Sequence, residues 1–153
     1  RLRVAGRLFD EDRQPQAVRQ LLERYQPDIL VITGHDGFKK GASNADSLDS
    51  YRNSKYFVQS VKEARKFEAS FDKLCIFAGA CQSYYEAIMG AGANFASSPG
   101  RILINALDPA IVSKKVALTD SKAVVTPQEI AELTISGSRG IGGINTRGHM
   151  MIG

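Results

Sequence analysis

The sequence predicts an α/β protein, a three-layer sandwich built on a mostly parallel sheet. Two short runs of consecutive apolar residues, many of them β-branched, occupy residues 28–33 and 74–78 and are typical of strands buried on both faces. Segments whose apolar residues recur at helical spacing precede, separate and follow these runs. A length of 153 residues suits one compact domain, so we expect a single α/β domain over residues 1–153.

The first half of the chain contains two predicted helices around the first buried strand. A short strand is possible at residues 2–4. Helical spacing predicts helices over residues 15–25 and 54–67, with the strand at 28–33 between them. Residues 38–53 are rich in Lys, Gly, Ser, Asn and Asp, which predicts a long exposed loop, and such loops are usually functional or mobile.

The second half alternates between shorter elements. They are, in chain order, a strand at 74–78, a helix over 82–89, short strands or turns at 94–97 and 102–106, an edge strand at 116–118, a helix from Thr126-Pro127 to Leu133, and a glycine-rich tail over 136–153. The alternation again indicates parallel strands that are covered by helices.

Composition excludes several classes of function. The net charge of +4 is spread along the chain in short basic runs, which favours a solvated basic surface over a nucleic-acid site. No apolar run approaches the ~20 residues of a membrane span. The two cysteines, Cys75 and Cys81, do not have the spacing of a zinc knuckle or a redox CxxC motif, and no metal-binding motif is present. The first residue is Arg1 rather than Met, so we expect that an N-terminal portion of the full-length protein is absent.

Two reactive side chains follow the two buried strands. His35 comes after the run at 28–33, and Cys81 comes after the run at 74–78. The carboxyl ends of parallel strands meet at one edge of a sheet, where ligands bind, so we expect His35 and Cys81 to lie on neighbouring strands at that edge. A predicted helix start at residue 82 would lower the pKa of the Cys81 thiol, and a nearby imidazole would complete a thiolate–imidazolium pair.

Other interpretations stay open at this point. Cys81 is alternatively a small buried residue beneath a helix, and Cys75, inside its apolar run, is expected to be structural. His149 is expected to be an exposed tail residue, but it would be the histidine of a thiol amidohydrolase with an elbow-type nucleophile at Cys81. The glycine run over residues 137–148 lacks the GK[ST] of a phosphate loop and is expected to be a flexible loop. A flavodoxin-like binding module without catalysis is the alternative outside enzymes.

Five ordered blocks give the chain a family resemblance. They are PDILVITGHDG (27–37), YRNSKYFVQSVKEAR (51–65), IFAGACQS (76–83), GANFASSPGRILINALDP (92–109) and GIGGINTRG (140–148). His35 precedes Cys81 by 46 residues, and the caspase signature likewise places its histidine about 50 residues before Q-A-C-x-G. The arrangement resembles the caspase–hemoglobinase cysteine peptidases. Over residues 17–148 it more closely resembles the YabG family of sporulation-specific peptidases.

The resemblance implies a cysteine endopeptidase with Cys81 as nucleophile and His35 as general acid and base, and with no metal or organic cofactor. The amides of Cys81 and of Asp36 or Gly37 would bind the oxyanion. The family resembled prefers arginine before the cut, and a guanidinium needs a carboxylate. The candidates for that carboxylate are Asp108 first and Asp46 second, followed by Asp49 and Asp36.

The resemblance also implies a cellular role. Such a protein would act inside a sporulating bacterial cell, in the cytoplasm or associated with the spore. It would process spore coat and related proteins, and also itself. Its partners are expected to be protein or peptide substrates, with no nucleic acid and no membrane.

Overall fold

The computed structural model describes residues 2–151 of the chain. Its helices are α1 (Gln14–Tyr25), α2 (Ser54–Phe67), α3 (Tyr85–Ala91), α4 (Asp108–Ala117), α5 (Pro127–Leu133) and α6 (Gly137–Gly140), with 3-10 turns at Glu11–Arg13 and Leu48–Ser50. Its strands are β1 (Ile29–Ile32), β2 (Cys75–Ala78), β3 (Phe95–Ser97), β4 (Val124–Val125), β5 (Ile141–Gly143) and β6 (Thr146–Arg147).

The central sheet has four strands in the order β1-β2-β3-β5. The pairs β1-β2 and β2-β3 are parallel, and β3-β5 is antiparallel. The α/β class and the mostly parallel sheet are therefore confirmed, and so is the placement of the two apolar runs on neighbouring strands. In the β1-β2 register Ile32 pairs with Ala78, so these two strands end level with each other.

Helices pack on both faces of this sheet because successive strand residues point to opposite sides. On one face, Ile76 and Ala78 pack in a cluster with the buried stripes of α1 and α2 and with Ile88 of α3. On the other face, Cys75 and Phe77 pack with residues of α4, α5 and β5. The core thus consists of two apolar clusters that share β2, the central strand whose residues are all buried.

Local sequence signals explain where the predicted helices begin. Pro15 occupies the first turn of α1, where its missing N–H costs no hydrogen bond. Thr126 accepts a hydrogen bond from the Glu129 amide, and the Glu129 carboxylate accepts one from the Thr126 amide, which forms a capping box at the start of α5. The helix predicted over residues 54–67 has these bounds in the structure.

Several sequence predictions are wrong. Residues 2–4 are not a strand, and residues 116–118 belong to the end of α4 and the turn after it. At residues 102–106 the sequence allows a strand or a turn, and the structure has no strand there and a turn from residue 106. The helix predicted over 82–89 begins only at Tyr85 and runs to Ala91. The loop over 38–53 is exposed along much of its length, but Phe38 and Tyr51 pair across its base.

The glycine-rich tail is more ordered than predicted. Residues 137–143 form α6 and the edge strand β5. Gly143 pairs with Phe95, and a Cβ atom at Gly143 would lie 2.3 Å from the Phe95 ring. Glycine is therefore what lets this strand approach β3. Residues 152 and 153 of the predicted tail lie outside the described residues.

Among residues 2–151, none of the helices combines the length and the apolar character that crossing a bilayer requires.

Candidate active site

His35 and Cys81 occupy equivalent positions at the carboxyl edge of the sheet. Each lies three residues beyond one member of the register pair Ile32 and Ala78. The Gly79 amide donates to the Ile32 carbonyl at 2.9 Å, and the Thr33 hydroxyl donates to the Gly79 carbonyl at 2.9 Å. These bonds hold the two segments side by side just past the strands. No hydrogen bond joins His35 directly to Cys81 among the described residues.

The His35 imidazole is open to solvent, with 98% of its side chain exposed. Its backbone is held on both sides. The His35 amide donates to Glu11 Oε2 at 2.6 Å, and the Asn53 side-chain amide donates to the His35 carbonyl at 2.8 Å. The ring therefore stands on a fixed backbone with its reactive nitrogens accessible.

Glu11 is the side chain nearest to the His35 ring in these contacts, and sequence reasoning did not identify it. Its Oε2 lies 3.3 Å from His35 Nδ1. Burial raises the pKa of the Glu11 carboxyl, but the hydrogen bonds and charge of His35 outweigh burial and the net pKa is lowered. Glu11 precedes His35 by 24 residues and belongs to no motif, so only the folded chain reveals this contact.

Cys81 is half-buried in the turn between β2 and α3. The expectation that a helix start activates its thiol is wrong, because α3 begins four residues later, at Tyr85. The Ile104 amide instead donates to Cys81 Sγ at 3.3 Å, and Sγ lies 3.8 Å from the Ile104 carbonyl oxygen.

Backbone bonds hold the turn around Cys81. Gln82 has a φ of 57°, and its amide donates to the Ile102 carbonyl at 3.0 Å and to Ser98 Oγ at 3.1 Å. Residues 98–104 therefore form one wall beside the sulfur. Within residues 2–151 the amide of Cys81 has no hydrogen-bond acceptor.

The three predicted oxyanion donors differ in availability. The Asp36 amide, like that of Cys81, has no acceptor within the described residues. The Gly37 amide donates to Asp36 Oδ1 at 2.8 Å. Two of the three predicted N–H groups are therefore unengaged.

The Asp36 carboxylate accepts four hydrogen bonds. Oδ1 accepts from the amides of Gly37 and Asn53, at 2.8 and 2.9 Å. Oδ2 accepts from the hydroxyls of Ser54 and Ser83, at 2.5 and 2.7 Å. With these donors the carboxylate joins the His35 loop to the start of α2 and to the Cys81 turn, and it leaves little capacity for a substrate guanidinium.

Asp108 is also engaged. It is fully buried at the start of α4, and its two oxygens accept hydrogen bonds from the amides of Ile135 and Ser136, at 2.8 and 3.0 Å. Asp46 and Asp49 are exposed in the loop after His35. The ring of Tyr51, at the base of that loop, stacks on Tyr84 with centroids 5.0 Å apart.

His149 is not an exposed tail residue, and it does not accompany Cys81. It is half-buried beside a cavity of about 420 Å³ that Asp28 and Asp72 also line. These aspartates precede β1 and β2, at the opposite edge of the sheet from Cys81 and across strands about 13 Å long. The geometry does not favour an elbow-type hydrolase that uses His149.

Cys75 lies in the core, as expected from its apolar run. Burial raises the pKa of its thiol to about 12. Among the residues that the structure describes, no group of three or more His, Cys, Asp or Glu side chains is placed to hold a metal ion.

The fold and the site define an α/β protein that carries a histidine and a cysteine just beyond the carboxyl ends of two adjacent parallel strands, in a mostly parallel sheet. The family described as YabG peptidase U57 matches residues 1–153, and the chain belongs to this family.

A curated relative supports this assignment. The sporulation-specific protease YabG of Bacillus subtilis (strain 168) is 46% identical over 150 residues, which cover 98% of this chain and 52% of the relative. The chain thus spans about half the length of that relative. No solved structure matches the chain.

Proposed function

We propose that this chain is the peptidase domain of a YabG-like protease and cleaves peptide bonds with Cys81 and His35. The observation that carries the proposal is the equal offset of these residues beyond the paired strand ends Ile32 and Ala78. Their order along the chain and their placement at the strand ends support the dyad that the caspase-like resemblance implies. The His35 imidazole is exposed and the residue Cys81 is only half-buried, which supports the proposal that a peptide reaches both.

In the proposed reaction, the thiolate of Cys81 attacks the carbonyl carbon of the scissile bond, and a C–S bond forms. His35 protonates the departing amine nitrogen as the C–N bond breaks, which leaves a thioester. His35 then takes a proton from water. The resulting hydroxide adds to the thioester, and the C–S bond breaks to return the thiolate and release the new carboxylic acid, which then loses its proton to water.

The oxyanion in each step needs N–H donors that are free in the resting protein. The amides of Cys81 and Asp36 meet this condition, whereas the Gly37 amide is already donated to Asp36. Losing one oxyanion donor typically costs about 3 kcal/mol of transition-state stabilisation. We therefore assign this role to Cys81 and Asp36.

We also propose cleavage after arginine, with Asp46 and Asp49 as the carboxylates that receive the guanidinium. A charged side chain left unpaired in a cleft costs several kcal/mol, so the pocket needs a free acid. Asp46 and Asp49 are exposed, whereas Asp36 and Asp108 already accept hydrogen bonds with both oxygens. Tyr51, at the base of the loop that carries Asp46 and Asp49, stacks on Tyr84, which lies three residues after Cys81. This contact anchors the loop to the segment that follows Cys81.

The proposed cellular role is based on the curated Bacillus subtilis relative. Because that protein is a sporulation-specific protease, we propose that this chain acts in a sporulating cell, in the cytoplasm or on the spore. Its substrates would be spore coat and other sporulation proteins, together with its own precursor.

The test combines cleavage with covalent trapping. An Arg-containing peptide and a peptidyl-Arg chloromethyl ketone are offered to the wild type and to the Cys81→Ala and His35→Ala variants. Wild type should cleave the peptide and gain one inhibitor at Cys81 by mass spectrometry, and both variants should be inactive. Cys75→Ala and His149→Ala are matched controls that should retain cleavage. Cleavage by Cys81→Ala would refute the proposal.

A further inference from the structure

Glu11 holds the backbone and the ring of His35 with one oxygen atom. Oε2 accepts the His35 amide at 2.6 Å and lies 3.3 Å from Nδ1. One carboxylate oxygen that accepts from the amide and lies at ion-pair distance from Nδ1 of the same residue favours ring orientations that turn Nδ1 back toward the backbone. Nε2, on the far side of the ring, is left facing outward.

The two partners differ sharply in burial. Only 17% of the Glu11 side chain is exposed, against 98% for His35. The largely covered carboxylate is therefore the fixed member of the pair, and the histidine is the member that would otherwise rotate freely in water. A freely rotating side chain loses rotamer entropy when it is oriented for reaction. A fixed partner for the exposed ring lowers this cost, because it restricts the ring before the substrate binds.

Neighbouring contacts hold Glu11 in place. The Gln14 side chain donates from Nε2 to the Thr33 carbonyl at 2.9 Å, which ties the start of α1 to the end of β1. Gly34 leaves room for the carboxylate, since a Cβ atom there would lie 2.4 Å from Oε2. Because glycine has no Cβ atom, Gly34 leaves space for the Glu11 carboxylate at the position just before His35.

We propose that Glu11 is the positioning residue of His35, which keeps the proton on Nδ1 and presents Nε2 to the nucleophile and the leaving amine. This inference rests on the proposed peptidase function. An ionised carboxylate next to Nδ1 demands a donor there, and the hydrogen bond at one ring nitrogen sets the protonation of the other. Glu11 itself touches neither substrate nor sulfur.

The first measurement separates kcat from KM. Glu11→Ala should lower kcat by about 10- to 100-fold, part of the 10²–10⁴-fold that general acid–base catalysis supplies, and leave KM within about twofold. Asp12→Ala is the matched control, because Asp12 lies in the same 3-10 turn, is exposed and, among residues 2–151, forms no hydrogen bond or ion pair with His35. It should leave kcat unchanged.

The second measurement does not depend on cleavage. In a Cys81→Ala background at pH 8, ¹⁵N NMR of the His35 ring should show the proton on Nδ1, and adding Glu11→Ala should move it toward Nε2. His35→Asn identifies the resonances. If Glu11→Ala does not fold, Glu11→Gln keeps the side-chain volume, and Gly34→Ala displaces the carboxylate without removing it.

The outcomes are distinct. An unchanged kcat in a folded Glu11 variant, or an unchanged ring tautomer, would overturn the positioning role. A wild-type protein that cleaves no peptide would refute the proposed function instead, and the tautomer measurement would still decide whether Glu11 orients His35.

Discussion

Asp36 Oδ2 accepts a hydrogen bond from Ser83 Oγ at 2.7 Å, and this contact joins the loop that carries His35 to the turn that carries Cys81. The Ser83 hydroxyl also accepts from the Ala80 amide at 2.9 Å, immediately before the cysteine. The spacing between the two reactive side chains therefore depends on a partly buried polar contact as well as on the sheet.

Ser83→Ala should destabilise the protein and reduce activity together. The change leaves the buried Ala80 amide without its acceptor and removes one of the two hydrogen bonds that Asp36 Oδ2 accepts, at a cost of about 1–3 kcal/mol. Urea unfolding and kcat measure the two effects. Ser60→Ala is the control, because Ser60 is equally buried but its hydroxyl has no hydrogen-bond partner among residues 2–151. Equal losses in the two variants would contradict the role given to the Asp36 contact.

Alkylation should distinguish the two cysteines. Burial raises the pKa of Cys75 to about 12, so at pH 8 almost no Cys75 thiolate is present and the core excludes the reagent. Iodoacetamide should therefore label Cys81 in the native protein and both cysteines in denaturant, as peptide mass spectrometry would show. Equal labelling of the native protein at both positions would contradict this arrangement.

Gly79 links β2 to the Cys81 turn in a conformation that few other residues adopt. Its φ is 114°, and a Cβ atom would lie 2.4 Å from Ser97 Oγ. Gly79→Ala should cost more than about 1 kcal/mol of stability and lower activity, since strain falls two residues from the sulfur. Gly90→Ala, inside α3 with open space around it, should be neutral or stabilising by up to about 1 kcal/mol. Thermal melts of both variants test the contrast.

Sequence patterns predicted the elements whose apolar spacing is regular, and chain order then placed His35 and Cys81 on adjacent strand ends. They could not predict β5, because its glycines lack the side chains that mark a strand and are required for close packing on Phe95. They also could not predict Glu11 or the Ile104 amide, since neither contact has a local sequence signal. Tertiary folding alone brings these groups to the site.

His149 should make the folded state sensitive to mild acid. Burial lowers its pKa, although the charges of Asp28 and Asp72 oppose this, and Lys73 and Arg147 line the same cavity. The unfolded chain therefore binds a proton more readily than the folded one, so stability is full above pH ~6.5 and falls as pH drops through the folded pKa.

Melting temperatures from pH 8 to pH 5 measure this effect. His149→Asn should flatten the curve over that range. His35→Asn, which changes an exposed histidine, should leave most of the slope in place. A wild-type melting temperature that is constant from pH 8 to pH 5 would contradict the prediction.

Substrate preference should depend on the loop after His35. A peptide library with Arg, Lys, Leu or Asp before the scissile bond should show Arg cleaved fastest by the wild type. A bidentate carboxylate–guanidinium pair is strong and directional, so Asp46→Asn or Asp49→Asn should lower kcat/KM for Arg peptides by about 10-fold or more and spare Leu peptides. Asp72→Asn, an exposed change at the opposite edge of the sheet, is the control.

Asp108→Asn should instead lower the melting temperature, because its carboxylate is buried against the amides of Ile135 and Ser136. A preference for Leu or Asp in the wild type would refute the acidic pocket, and an unchanged Arg preference in both loop variants would remove Asp46 and Asp49 from it.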